Sequence, residues 1–90
     1  MVITMEEINM AKFVSSRNPI SAKALKRKPI GSLSIIRSGY EDINFTRIKG
    51  GWIRVRTDIT SETPFVVSSV EVARECNKVI GCRESWAKVY

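Results

Sequence analysis

The hydrophobic positions near the start of the chain recur at the spacing of a helix. Thr4 followed by Glu7 has the form of a capping box, in which each side chain accepts a free backbone N–H from the other residue. Apolar side chains then follow at helical spacing at Ile8, Ala11 and Phe13 or Val14. This pattern predicts a helix over residues 5–16, which the Asn18-Pro19 pair ends.

A second short helix is predicted at residues 21–28. Ala22 and Leu25 lie on one side of it, basic residues lie on the other, and Pro29 ends it. Two short helices with a tight break between them suggest a helix-turn-helix motif. We disfavour that motif because the second helix is barely two turns long and lacks a third apolar anchor. Residues 1–28 are therefore expected to form an N-terminal helical segment.

From residue 30 the apolar positions follow the period of β-strands. Runs rich in β-branched and aromatic residues occupy residues 32–37, 43–48 and 52–57, and turn-forming residues separate them. A fourth, shorter run occupies residues 65–67. The pattern predicts a three- to four-stranded antiparallel β-meander.

A helix is predicted after the meander. Ser68 with Glu71 forms a second capping box, and Gly81 stands where a helix C-terminus favours a left-handed residue. Between these signals the apolar positions at helical spacing are Val72, Cys76, Val79 and Ile80. These features predict a helix over residues 69–80.

The last six residues alternate between apolar and polar and predict a C-terminal strand. Its Trp86 and Val89 or Tyr90 are expected to contact the core. Residues 1–90 are then one α+β domain, in which residues 30–90 form a meander, a C-terminal helix packed against it and a closing strand. Ninety residues suffice for one small core and no more.

The Gly50-Gly51 pair predicts the register of the hairpin around it. A two-residue type I′ turn at these glycines places Arg47 opposite Arg54 and Ile48 opposite Ile53. One face of the hairpin then carries the small side chains Thr46, Ile48, Ile53 and Val55, which are expected to pack under the helix. The other, here called the basic aromatic face, carries Phe45, Arg47, Lys49, Trp52, Arg54 and Arg56.

The net charge makes this second face a candidate site. The chain has 15 Lys and Arg against 9 Asp and Glu, a net charge of +6, and residues 12–56 carry eleven of the bases and two of the acids. Besides the basic aromatic face, these bases include a dense run at Lys23, Lys26, Arg27 and Lys28. Arginines beside aromatic rings can neutralise phosphates and stack bases, so we expect nucleic acid or a nucleoprotein as partner.

Two other interpretations of the basic aromatic face stay open. In one, Trp52 and Phe45 pack into a second small core and the arginine stems lie over them with their charged ends in water. In the other, the arginines pair with Glu41 and Asp42 or with acids of a partner protein. Pairing with the acids of a partner protein predicts an inhibitor or adaptor that binds an acidic surface of a host enzyme or defence complex. An exposed strand edge also leaves a dimer open.

The sequence carries no signal of catalysis or of a cofactor. It has no His, the commonest general base and metal ligand, and its Ser and Thr residues have no evident activating partner. Cys76 and Cys82 do not have a metal-site spacing, and a buried reduced thiol at Cys76 is favoured over a disulfide. We expect no enzyme, no metal and no cofactor.

The hydropathy pattern bears on the compartment. Residues 1–7 lack the pattern of a secretion signal, and no run approaches the roughly 18 apolar residues that a membrane span needs. We therefore expect a cytoplasmic protein with no membrane partner.

Residues 25–52 resemble the small β modules of uncharacterised bacteriophage and prophage proteins. The likeness lies in a basic segment leading into Pro29-Ile-Gly-Ser, followed by Phe45-Thr-Arg and then Gly50-Gly51-Trp52. The resemblance implies a small accessory protein, acting in the cytoplasm of a bacterial host and in some cases against host machinery. It carries over no catalytic residues.

Overall fold

The fold is described from a computed structural model, which covers residues 12–39, 41–59 and 61–90. Its elements, in chain order, are β1 (Lys12–Phe13), α1 (Ala22–Lys26), β2 (Leu33–Arg37), β3 (Asp42–Ile48), β4 (Gly51–Arg56), β5 (Phe65–Val67), α2 (Ser69–Asn77) and β6 (Trp86–Val89). The Thr4–Glu7 capping box and most of the helix predicted at residues 5–16 lie outside the described residues.

The described elements form an α+β fold, as predicted. One six-stranded antiparallel sheet has the strand order β1-β6-β2-β3-β4-β5. Strands β2 to β5 are the predicted meander, and β6 is the predicted closing strand. The sheet is wider than predicted because β6 pairs with β2 on its outer side and offers its own free edge to β1.

Strand β1 replaces the end of the predicted N-terminal helix. Phe13 pairs with Lys88 of β6, and the backbone N–H of Val14 donates to the carbonyl of Ala87 over 2.9 Å. Backbone bonds between Ser15 and Asn18 then close a tight turn. Residues 12–16 are therefore not helical, because the open edge of β6 binds the backbone of residues 12–14 and residues 15–18 form a turn.

Both described helices begin at a serine cap, of which the one at Ser68 was predicted. The Ser21 hydroxyl accepts the Ala24 N–H over 3.1 Å at the start of α1, and the Ser68 hydroxyl accepts the Glu71 N–H over 3.2 Å at the start of α2. Helix α2 ends three residues before the predicted residue 80 and continues as turns to Gly81, whose φ is +78°. The left-handed residue expected there is confirmed.

The core lies between one face of the sheet and the two helices. The largest fully buried side chains from the sheet are Trp52, Phe45 and Ile43, and the helices contribute Leu25, Val72 and Cys76. The indole N–H of Trp52 donates to the Ser69 hydroxyl over 3.0 Å. The predicted contact of the C-terminal strand with the core is confirmed for Val89, which is buried. Trp86 lies on the sheet face opposite the helices and is 37% exposed.

The predicted register of the β3–β4 hairpin is wrong by two residues. The turn is Lys49-Gly50, so Ile48 pairs with Gly51 and Arg47 pairs with Trp52 rather than with Arg54. Gly50 has the positive φ of +82°. Gly51 is instead a buried strand residue, because a Cβ there would come within 2.9 Å of the Val67 carbonyl oxygen. Because Gly51 has no side chain, β5 can lie close to β4 at this point.

The expected covering of the sheet is also wrong. A register shift of two keeps every side chain on its own face, so Thr46, Ile48, Ile53 and Val55 still share one face. That face carries no described helix, and all four side chains are partly exposed. The helices cover the basic aromatic face instead, because its Trp and Phe rings bury more apolar area than the smaller side chains opposite.

Both cysteines are free thiols, Cys76 buried and Cys82 exposed. The Sγ of Cys76 lies 3.3 Å from the Ser34 hydroxyl oxygen, and burial raises the pKa of the Cys76 thiol above its usual value. Cys76 is therefore a reduced thiol and does not form a disulfide with Cys82. In the described ranges, no helix has both the length and the apolar character needed to cross a bilayer.

Candidate functional site

The two rings of the basic aromatic face lie in the core. Phe45 and Trp52 are fully buried under α1 and α2, so neither ring is available to stack on a base. Phe45 and Trp52 therefore pack into a core, as one of the interpretations expected. They belong to the main core between the sheet and the helices rather than to a second, smaller one.

Arg54 and Arg56 have acidic partners within the chain. The guanidinium of Arg54 binds the Glu62 carboxylate and lies 5.1 Å from the centre of the Phe65 ring. Arg56 binds Asp58 over 2.6 Å and lies 3.9 Å from Glu41. The hydrogen bond from Arg56, followed by the backbone N–H of Asp42, lowers the pKa of Asp58 from 3.8 to about 2.

Arg47 connects the hairpin to helix α1. Its guanidinium donates to the carbonyls of Gly51 over 2.8 Å, of Lys26 over 3.3 Å and of Ile48. The same group lies 5.8 Å from the centre of the Trp52 ring. A charge held over an indole and surrounded by backbone carbonyls has a structural role in the fold.

Arg47 also brings the bases on and after α1 close to the Lys49 turn. The Gly31 N–H donates to the Arg47 carbonyl over 2.8 Å, so the segment after α1 lies against the end of β3, beside the Lys49 turn. We call the bases of this end the basic cluster: Lys23, Lys26, Arg27, Lys28 and Lys49. Lys28 is half-buried and the other four are exposed. Within the described part of the chain, none of the five forms an ion pair.

The nine predicted site residues thus separate into three groups. Lys26, Arg27, Lys28 and Lys49 meet at the accessible end of the molecule. Arg54 and Arg56 are paired elsewhere along the sheet, while Phe45, Trp52 and Arg47 belong to the core and its edge.

The sheet face that no described helix covers, here called the open face, carries an aromatic group that was not predicted from the sequence. Phe13, Trp86 and Tyr90 are 55%, 37% and 41% exposed. Phe13 and Trp86 meet edge to face with ring centres 5.8 Å apart. The ammonium group of Lys88 lies 4.6 Å from the centre of the Phe13 ring and 5.8 Å from that of Tyr90. We call these four residues the aromatic platform.

Part of this platform was visible in the sequence. The alternation of the last residues places Trp86, Lys88 and Tyr90 on one face of a strand. Phe13 was not visible, because its place beside them depends on the pairing of β1 with β6, which the local helical pattern contradicts.

A cavity of about 300 Å³ lies between β1 and α1. Its lining is mainly apolar, and it includes Phe13 of the aromatic platform and Lys28 of the basic cluster. The cavity therefore borders one residue of each surface. Among the described residues, no group of three or more Cys, Asp or Glu side chains is placed to hold a metal ion.

Searches of protein-family models, curated proteins and solved structures found no match to the chain. The resemblance to bacteriophage β modules therefore stays a prediction.

Proposed function

We propose that the chain is a non-catalytic binding module that engages nucleic acid through the basic cluster. The observation that carries the proposal is the contrast in how the bases are used. Arg54 and Arg56 have carboxylate partners, whereas the five bases of the basic cluster gather at one end without one among the described residues.

Electrostatics supports phosphate as the group that these bases neutralise. Residues 8–40 contain seven bases and no acid, so this part of the chain cannot compensate its own charge. Uncompensated charges that lie close together repel one another and attract polyanions. Nucleic-acid backbones relieve that repulsion and gain entropy as they release condensed counterions.

The arrangement supports binding to the backbone rather than the reading of base edges. Helix α1 has only five residues, and the bases of the cluster on and around it are four long, flexible lysines and one arginine. Contacts of this kind position a protein on phosphates and carry little sequence information. Binding is therefore expected to depend strongly on salt and weakly on sequence.

Fluorescence anisotropy of a labelled 20-nucleotide DNA, single-stranded and as a duplex, tests the proposal at about 50 mM salt. The double variant Lys26→Gln/Lys28→Gln is expected to bind at least tenfold more weakly than the unmodified chain. The matched control Arg74→Gln/Arg83→Gln removes the same charge from outside the basic cluster and is expected to change affinity less than threefold.

Two results would contradict the proposal. One is that the unmodified chain binds neither oligonucleotide under these conditions. The other is that the control variant loses as much affinity as the cluster variant, since binding would then follow net charge alone. In the first case an acidic protein surface becomes the better candidate partner.

A further inference from the structure

We infer that the aromatic platform stacks the bases of a single-stranded nucleic acid, while the basic cluster holds its backbone. This inference rests on the proposed function and names its substrate class. It differs from the sequence expectation in the face, the strands and every aromatic residue involved.

Two rings of the platform are exposed yet held in place by their contact with each other. Phe13 and Trp86 meet edge to face, while the main chain of Tyr90 is held to the sheet by its N–H, which donates to the Leu33 carbonyl over 2.9 Å. Rings that are already positioned lose little conformational entropy when a base stacks on them. Aromatic rings on an open sheet are a common way to bind unpaired bases without selecting their sequence.

Lys88 gives the platform the charge that a single strand requires. Its ammonium group lies between the Phe13 and Tyr90 rings, so a phosphate that follows a stacked base comes within its reach. A lysine can exchange a contact with a ring face for a stronger bond to a phosphate. If the platforms of two copies of the chain packed on each other, their Lys88 side chains would meet and their like charges would repel.

The platform and the basic cluster each contribute a residue to the same cavity. The residues that line the cavity between β1 and α1 include Phe13 and Lys28. In the proposed complex, a flexible single strand passes around the β1 edge of the sheet from the platform to the basic cluster. A duplex keeps its bases stacked on each other and can use the basic cluster only.

The test compares a 20-nucleotide single strand, as DNA and as RNA, with a DNA duplex of the same sequence. We expect Trp86→Leu and Tyr90→Leu each to weaken single-strand binding about tenfold to hundredfold and duplex binding less than threefold. Trp86→Phe retains a ring and is expected to recover most of the single-strand affinity. Lys88→Gln is expected to reduce the salt slope for the single strand by about 0.7.

Intrinsic fluorescence gives a second readout that does not depend on the variants. Trp52 is buried and Trp86 is exposed, so iodide quenching of the free chain reports mainly on Trp86. A single strand is expected to protect Trp86 from iodide, and a duplex is not.

The outcomes separate the inference from the proposed function. If Trp86→Leu and Tyr90→Leu bind single strands as the unmodified chain does, or if iodide still reaches Trp86 in the complex, the platform inference is wrong and the proposed function stands. If Trp86→Leu converts a dimer into a monomer without changing single-strand affinity, the open face is a self-association surface and the inference is also overturned. If the unmodified chain binds no oligonucleotide, both are wrong.

Discussion

Arg47 lies directly opposite Trp52 across β3 and β4, with the central carbon of its guanidinium 5.8 Å from the centre of the indole ring. Its N–H groups donate to the carbonyls of Gly51 and Lys26. The charge of Arg47 thus holds α1 against the hairpin. Lys49, two residues later, stands at the exposed turn and has no such contacts with the described residues.

This difference predicts that two similar substitutions change the free energy of unfolding by different amounts. Arg47→Met keeps a stem over Trp52 but loses the bonds to the carbonyls, and we expect it to lower the free energy of unfolding by about 1–3 kcal/mol. Lys49→Met should change that free energy by about 0.5 kcal/mol or less. Urea denaturation measures both.

In oligonucleotide binding we expect the larger effect from the substitution of Lys49 and the smaller effect from that of Arg47. Lys49→Met should reduce the salt dependence of binding, and Arg47→Met, measured where it is fully folded, should leave it unchanged. Equal effects of the two substitutions in both assays would mean that Arg47 does not have the structural role described.

The hydrogen bond from the Trp52 indole to the Ser69 hydroxyl joins β4 to the first turn of α2. Ser69→Ala leaves a buried N–H without a partner, and we expect a loss of about 1–3 kcal/mol in the free energy of unfolding. In a Trp52→Phe background, which has no N–H, the same change should cost clearly less. Ser61→Ala, in an exposed loop, is the control. Additive effects of Trp52→Phe and Ser69→Ala would show that this bond contributes nothing.

The two hairpin glycines should respond differently to substitution. Gly50 has a positive φ and open space around it, so Gly50→Asn should be tolerated better than Gly50→Ala, which we expect to cost about 1 kcal/mol. Gly51→Ala places a Cβ against the Val67 carbonyl and should cost about 1–3 kcal/mol.

Hydrogen exchange then locates the Gly51 effect. Amides of β5 should exchange faster in Gly51→Ala and remain as protected as in the unmodified chain in Gly50→Ala. If Gly51→Asn were tolerated as well as Gly50→Asn, both glycines would occupy the turn and the register described would be wrong.

The Arg56–Asp58 pair predicts a pH dependence of stability. The Asp58 pKa is lowered to about 2 by the bond from Arg56, so the folded state gains from ionised Asp58 above the usual pKa of 3.8 and loses that gain as the pH falls through about 2. The melting temperature of the unmodified chain should exceed that of Asp58→Asn near pH 6. The difference should shrink between pH 4 and pH 2. A difference that stays constant down to pH 2 would contradict the assigned pair.

Much of the fold follows from local signals in the sequence. Helices α1 and α2 begin within one residue of their predicted starts, α2 at the predicted cap Ser68, and the strands of the meander lie within one or two residues of the predicted runs. Arg47 and Arg54 share a face as predicted even though the register is shifted, since a shift of two residues preserves the alternation.

The rest depends on tertiary packing that local patterns do not contain. Both faces of the β3–β4 hairpin carry apolar side chains, and which one the helices cover is decided by how much area the Trp52 and Phe45 rings bury. The pairing of Phe13 with Lys88 needs a strand 75 residues further along the chain. The aromatic platform therefore appears only once the sheet is assembled.

The most direct test of the account is the salt dependence of oligonucleotide binding. If the five bases of the basic cluster each neutralise one phosphate, a plot of log affinity against log salt should be linear with a slope of about −4.5 for a duplex, which uses the basic cluster only. Removing Lys26 and Lys28 should reduce the magnitude of the slope to about 2.7. A slope near zero, or one unchanged in Lys26→Gln/Lys28→Gln, would contradict the claim that this end of the molecule binds nucleic-acid phosphates.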